Sequence, residues 1–303
     1  MELPVLVIGE ALIDIVIPFS GDTVEHVGGS PANVAIGLAR LGHPTELATH
    51  IGTDARGRRI AALLESEQVR LSAGSDQAER TPTAAARLNA SGAASYEFDL
   101  DWRLDPALPL AAGHVHTGSI AATLKPGGEA VAVILARARE SATISYDPNA
   151  RPSIVGTADQ VRDEIEALIG ASDLVKASDE DIAWLYPGRS LEDVLTAWTA
   201  LGPQVCAVTR GGEGSLVLVQ GEFHRLPAPA TTVIDTVGAG DSFMSGLLSG
   251  LLDAGLLGSV DARERLAVAG WAEIEPAVQR ALSCAAITVS RAGANPPTRV
   301  EVS

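Results

Sequence analysis

Short apolar runs alternate with helical patterns along most of the chain, and this alternation limits the fold more than any other feature. Extended or apolar runs occupy 5–8, 11–17, 46–51, 114–118, 143–147, 174–176, 205–209 and 215–219. Helical patterns separate most of them, at 31–41, 57–68, 128–139, 158–169, 191–201 and 242–252. Strands alternating with helices predict an α/β fold with a mostly parallel central sheet covered on both faces. Hydrophobic residues make up 46 % of the chain and aromatics only 4 %, so the core must be Ala, Val, Leu and Ile. That favours buried parallel strands and helices packed through small residues over an aromatic-rich β-sandwich. The length, 303 residues, accommodates one large α/β domain or two ordinary ones. With no repeat and no low-complexity tail, a single domain over 1–303 is expected.

One region breaks the rhythm. Residues 83–89 and 95–100 read as two strands around the turn Asn89-Ala90-Ser91-Gly92, with no helix between them. Such a hairpin cannot easily join the parallel sheet. It predicts a small β-lid built from about 11–20 and 83–103, with 83–89 paired to 15–19; the alternative is a decorative surface hairpin.

Two glycine-rich turns carry the chemistry. In Asp235-Thr236-Val237-Gly238-Ala239-Gly240-Asp241-Ser242-Phe243, three small residues precede a carboxylate where an apolar helix begins. A helix start leaves N–H groups unpaired and partly positive, and small residues let an anion approach them. An anion hole with a general base beside it suits phosphoryl transfer onto a hydroxyl; an Asp N-cap after a glycine turn is the plain alternative. The second turn, Val27-Gly28-Gly29-Ser30-Pro31-Ala32-Asn33, also feeds an apolar helix, which closes at Gly42. Asn33 offers an amide that can donate to and accept from a polyol.

Together these stretches resemble the PfkB, or ribokinase-like, family of carbohydrate kinases. Residues 28–42 are similar to the family's amino-terminal signature and 235–243 to its carboxy-terminal one; the resemblance spans about residues 5 to 298. It implies a three-layer α/β/α ribokinase-like fold with a β-lid over the sugar, and an ATP-dependent sugar kinase. It makes Asp241 the catalytic base, and the amides of Gly238, Ala239 and Gly240 the cradle for phosphoryl charge. Asp14, an acid inside an apolar strand, Gly28, Gly29 and Asn33 become sugar contacts, with Gly29 leaving room for the acceptor. Thr209, Gly211 and Gly214, in a strand followed by a glycine turn, become ATP contacts.

The same resemblance implies Mg²⁺ held through water by Asp181. Here Ser178 and Asp181 replace the family's usual Asn and Glu. Asp235, the Val237 carbonyl and the 286–293 stretch through Gly293 correspond to a monovalent-cation (K⁺) site; Pro297 stands where ribokinases often have serine. The stretch Asp147-Pro148-Asn149-Ala150-Arg151 is similar to one common in fructokinases and 2-keto-3-deoxygluconate kinases. Fructose is therefore the expected acceptor, with 2-keto-3-deoxygluconate, ribose and nucleosides as alternatives. Arg151 faces phosphate or sugar, or else pairs with Asp147.

Other readings are narrower. His114 and His116 alternate on one strand face without a third metal ligand, which favours ordinary core-edge histidines. Tyr96, Phe98 and Trp102 on the lid hairpin stack on the acceptor or pack the lid onto the body. The net charge of −16 argues against nucleic acid, so a polyphosphate must find its positive field locally. Cys206 and Cys284 in apolar surroundings read as buried thiols of a reducing cytoplasm. The start, Met1-Glu2-Leu3-Pro4, has no basic region, and no stretch reads as a membrane span. Lid-to-lid homodimers are frequent in the family. A dinucleotide-dependent oxidoreductase would need Gly-x-Gly-x-x-Gly after the first strand, and Ile8-Gly9-Glu10-Ala11-Leu12 lacks it. A sugar-binding protein without catalysis would be expected to have lost Asp241.

Overall fold

Strand β1 (Val5–Ile8) is buried throughout, and its alternate residues face opposite ways: Val5 and Val7 enter one apolar core, Leu6 and Ile8 another. A strand covered on both faces has no polar side to alternate with. In this computed structural model, which describes residues 3–88 and 94–302, the same logic builds the whole centre. The chain continues through β2 (Leu12–Ile17), β3 (Val24–Gly28), α1 (Ser30–Arg40), β4 (Thr45–Ala48), α2 (Ala55–Ser66) and β5 (Val69–Leu71). Then follow β6 (Thr83–Leu88), β7 (Ala94–Asp99), β8 (His114–Gly118), α3 (Gly127–Ala138), β9 (Thr143–Asp147), α4 (Pro152–Val155) and α5 (Ala158–Gly170). The rest comprises β10 (Leu174–Ser178), α6 (Asp179–Leu185), α7 (Leu191–Thr199), β11 (Val205–Thr209), β12 (Ser215–Val219), β13 (Glu222–Leu226), α8 (Ala239–Asp253), α9 (Val260–Val268) and α10 (Trp271–Val289).

The main sheet has nine strands in the order β13-β12-β11-β10-β9-β8-β1-β4-β5. It is parallel from β5 to β11, and β12 and β13 extend it antiparallel. One core packs α1, α2, α8 and α10 on one face; the other packs α3, α5, α6 and α7 on the opposite face. The α8–α10 contact relies on absent side chains, as the Ala-rich composition predicts. A Cβ at Gly246 would lie 2.8 Å from the Ala281 Cα, and one at Gly250 2.5 Å from the Ala277 Cα. This close approach sets where the first turn of α8 points.

The second sheet has four strands, β3-β2-β6-β7, with β6 parallel to β2 from Ile13↔Thr83 to Ile17↔Arg87. The expected pairing of the hairpin with the 15–19 region is present, and the strand ends at Ile17 with Phe19 exposed beyond it. The turn Asn89–Gly92 lies outside the described residues. Trp102 does not belong to this sheet. It is buried in the body, its Nε1 donating to the Ala121 carbonyl (2.8 Å) while Gly127 leaves room for the ring. The helical pattern expected over 57–68 ends at Ser66, and β5 begins at Val69, because Gln68 adopts φ 60° and breaks α2 from the strand.

His114 and His116 are fully inside the core. Their rings bond to Thr143 and Ser145 at 2.8–2.9 Å, and burial pushes both down to about 3, so they stay neutral. Among the described residues no group of three or more His, Cys, Asp or Glu side chains is arranged to hold a metal directly, and no helix is long and apolar enough to cross a membrane.

Candidate active site

The carboxyl ends of β9, β10 and β11 open into one large cleft, and β2, β3, β6 and β7 line its other side. Open α/β sheets bind ligands at such strand ends. At its centre α8 begins. Gly238 is the N-cap, in a left-handed conformation (φ 75°), and the helix starts at Ala239, three residues before the apolar pattern indicates. Asp241 is therefore a first-turn residue and not the cap. The Ala239 N–H is drawn into the turn toward the Thr236 carbonyl (3.3 Å). The amides of Gly240 and Asp241 are left without intrahelical acceptors, as helix geometry requires.

Asp241 is 8 % exposed, and both its oxygens are held by residues of the first glycine-rich turn. Ser30 Oγ donates to Oδ1 (2.6 Å) and Asn33 Nδ2 donates to Oδ2 (2.8 Å). Asn33, read as a sugar contact, thus orients the carboxylate. Ser30 was missed, because a hydroxyl 211 residues away in sequence gives no local sign of this bond.

The turn itself corrects one expectation. A Cβ at Gly29 would meet the Glu10 carbonyl oxygen at 2.4 Å, so this glycine (φ 107°) makes room for backbone and not for an acceptor. Gly28 is the one that faces the cleft acid: a Cβ there would lie 2.0 Å from Asp14 Oδ2. Asp14 is not a buried strand acid but projects from β2 into the cleft. Desolvation raises its pKa, opposed by His26 and Arg151. Glu10, another acid missed within an apolar run, lies deeper. Burial pushes it up to about 7 although Ser119 and the Ala121 amide bind it.

Arg151 does not pair with Asp147. Its Nη1 donates to the Asn149 carbonyl and Oδ1 and to the Ala150 carbonyl, at 2.7–3.0 Å, on the cleft rim. Asp147 instead accepts from Lys176 Nζ (2.9 Å), and both side chains are buried. Desolvation opposes charge on Lys176, but Asp147 first, then Asp181 and Asp241, raise its pKa on balance. Burial pushes Asp147 up to about 6.

Asp181 closes a capping box with Ser178 at the start of α6: Ser178 N and Oγ both donate to Oδ2, and Oδ1 accepts from Ala150 N (2.8 Å). A side chain as short as Asp suits this local ring. Thr209, Gly211 and Gly214 line the arm of the cleft beyond β10 and β11. The same cleft is lined by apolar residues that the motifs did not mark, Pro229, Val233, Leu282 and Ala285, together with Val289 of the 286–293 stretch. The 286–293 stretch, expected to contribute to a monovalent-cation site, is the end of α10 as far as Val289. Its true loop clasps the segment before α8. Asp235 accepts from Val237 N (3.0 Å) and Gly293 N (2.8 Å), and these amides hold its carboxyl below the usual range. Tyr96 and Phe98 stack with ring centroids 6.1 Å apart on the lid side.

Comparison with known proteins finds relatives along almost the whole chain. The model of the pfkB family carbohydrate kinases matches residues 3–300. Fructokinase of Klebsiella pneumoniae is 29 % identical over 97 % of this chain and 95 % of its own. A double-mutant fructokinase of Vibrio cholerae O395, solved with fructose, ADP and potassium ion bound, superposes with a TM-score of 0.82 at 27 % identity, covering 97 % of this chain and 95 % of that one. Aminoimidazole riboside kinase of Salmonella enterica, complexed with aminoimidazole riboside and an ATP analogue, gives 0.77 at 25 % identity over 96 % of this chain and 95 % of that one. With the family model running almost from end to end and the ribokinase-like fold matched as completely, the chain belongs to the pfkB family of carbohydrate kinases.

Proposed function

We propose that the protein transfers the γ-phosphoryl group of ATP to a hydroxyl of fructose. The observation that carries this reading is the position of Asp241. Its carboxylate, fixed by Ser30 and Asn33, lines the same cleft as Asp14 and the lid strands and as Thr209, Gly211 and Gly214. An acceptor hydroxyl has a pKa far above 7, so its proton must leave as the oxygen attacks phosphorus. Asp241 takes that proton while the bond from the γ-phosphorus to the bridging oxygen breaks and ADP departs. The amides of Gly240 and Asp241 face the charge on the transferring oxygens. Asp14 and Arg151 are among the polar groups that could meet the acceptor, and the apolar lining of Val233, Leu282, Ala285 and Val289 suits an adenine face.

Mg²⁺, when bound, neutralises phosphate charge. Asp181 fits it through water, since three hydrogen bonds leave about one of the four acceptor positions of a carboxylate free. The clasp of Asp235 with the Val237 and Gly293 amides ties together the two loops whose carbonyls would hold K⁺. The two buried free thiols suit a reducing cytoplasm.

A riboside acceptor is the second reading, favoured by the aminoimidazole riboside kinase among the similar structures and by the Tyr96–Phe98 stack. Thermal unfolding and ADP release, measured with fructose, ribose, 2-keto-3-deoxygluconate and nucleosides in the presence of ATP, Mg²⁺ and K⁺, separate the two. Fructose is expected to raise the melting temperature and drive ADP release. A riboside doing both while fructose does neither would move the assignment.

The lid makes its own prediction. Transfer to a sugar competes with transfer to water, so the acceptor arm must close before chemistry. Amide hydrogen exchange in β6 and β7 is expected to slow on adding fructose and to change little with ATP alone. Identical exchange in both states would reduce the second sheet to a fixed wall.

A further inference from the structure

We propose that Arg40 is a positioning residue of this reaction: its guanidinium pins the loop 293–296 against the head of α8 and so holds the amides of Gly240 and Asp241 where the phosphoryl group arrives. The inference rests on the phosphotransfer reading above.

The loop after α10 has little of its own to fix it. Residues 290–298 form no helix or strand, and Pro296 and Pro297 carry no N–H. Among the described residues no backbone–backbone hydrogen bond involves 294–297. Yet both prolines are buried. Arg40, in the last turn of α1, supplies the missing bonds. Its Nη1 donates to Asn295 Oδ1 and to the Pro296 carbonyl, both at 2.6 Å. The rest of the fork is directed at Glu67, the C-cap of α2: Nε donates to Oε2 (2.8 Å) and Nη2 to Oε1 (2.7 Å). A two-pronged pair of this kind sets the plane of the guanidinium as well as its place. The loop is thereby bound to a bracket made of two helices.

What the loop touches gives the bracket its function. A Cβ built on Gly238, the N-cap of α8, would lie 2.6 Å from the Ala294 Cβ and 2.9 Å from its Cα, so the loop presses directly on the cap. One residue earlier, Gly293 N donates to Asp235 (2.8 Å). Residues 293–294 are therefore the backing of the 235–238 turn. Helix α1 leans on the same place: a Cβ at Gly37 would lie 2.7 Å from the Ser245 Cβ and 3.7 Å from the Pro296 Cβ. From its first turn α1 holds the Asp241 carboxylate through Ser30 and Asn33. From its last turn, through Arg40, it sets the helix-end amides. A misplacement of about 1 Å at a reacting centre can cost about 10²-fold in rate.

The test compares Arg40→Met with Arg263→Met. Arg263 is also a part-buried guanidinium, bonded to Asp173 (2.7 Å) and the Arg139 carbonyl (2.8 Å), but at the opposite, amino-terminal ends of β9 and β10. Both variants should melt at lower temperature. In Arg40→Met kcat is expected to fall about 10–100-fold with the fructose KM unchanged, because Asp14 is untouched; Arg263→Met should keep its kcat. Amide hydrogen exchange supplies a readout independent of the acceptor. Over 237–245, where the Val237, Ala239 and Ser242 amides are hydrogen-bonded, exchange relative to β8 and β9 should quicken in Arg40→Met and not in Arg263→Met. Asn295→Ala keeps the ion pair and loses one of the two loop bonds. It should move both readouts the same way by less, and it stands in if Arg40→Met does not fold. Equal kcat in the two arginine variants, or exchange over 237–245 that keeps step with the sheet, would make Arg40 a fold contact and overturn the proposal. One readout moving without the other would overturn it too. If wild-type protein phosphorylates no sugar while exchange over 237–245 still quickens in Arg40→Met, the acceptor reading fails and the pinning of the turn by Arg40 stands.

Discussion

Asp241→Asn is expected to abolish turnover while leaving the fold and ATP binding nearly unchanged. The geometry makes the substitution gentle. The new amide can direct its oxygen to Asn33 Nδ2 and its nitrogen to Ser30, whose hydroxyl can turn to accept, so both hydrogen bonds survive. What is lost is the capacity to take a proton. Loss of a positioned base costs roughly 10²–10⁴-fold in kcat. Coupled ADP-release assays measure that loss, with calorimetry for ATP and thermal unfolding as controls. A variant retaining more than about a tenth of the activity lies outside that range, and the base would have to be sought elsewhere.

Neighbouring glycines of the first turn should fail in opposite ways. In Gly28→Ala the new methyl meets only the tip of the Asp14 side chain, which can swing aside. Folding should be little affected, but the acid is displaced from the acceptor arm. Fructose affinity should fall about 10–100-fold, the worth of a hydrogen bond to a charged group, with ATP affinity unchanged. In Gly29→Val the side chain meets the Glu10 carbonyl, which cannot move without shifting the junction of β1 and β2, and it must also adopt φ 107°. Backbone strain and overpacking at about 1–3 kcal/mol each predict a loss on the order of 2–6 kcal/mol. Calorimetric titrations and urea unfolding of both variants separate the effects. Equal stability with equal fructose affinity in the two would contradict this account of the turn.

The parts of the molecule legible in the sequence were those written in local pattern. Eight of the strands announce themselves as apolar or alternating runs, and both glycine turns and the lid hairpin are short-range signals. β3 escaped because Val24-Glu25-His26 carries two polar residues at the edge of the second sheet. α10 escaped because Pro276 reads as a breaker although the helix runs through it. Within the site, Asp14 was noticed as an acid inside an apolar run. Lys176 gives the same signal, but the run was taken to end at it, whereas β10 continues to Ser178. The bonds of Asp241 to Ser30 and Asn33 span 211 and 208 residues and have no local trace. Neither does the contact of Gly238 with Ala294, which depends on how the loop after α10 folds back.

That the carboxylate at the head of α8 is gripped by side chains from the first turn has a consequence for biosynthesis. Every strand of both sheets has been translated by Leu226, before the ribosome reaches α8. A nascent chain at that stage has the strands of both sheets and the helices α3, α5, α6 and α7 that cover one face of the main sheet, yet it lacks α8 and α10, which complete the cover of the other, and with them Asp241 and the first-turn amides. The last quarter of the polypeptide therefore acts as an ignition step. Chains released before that point leave one apolar face of the main sheet partly open and lack the residues proposed to handle phosphate.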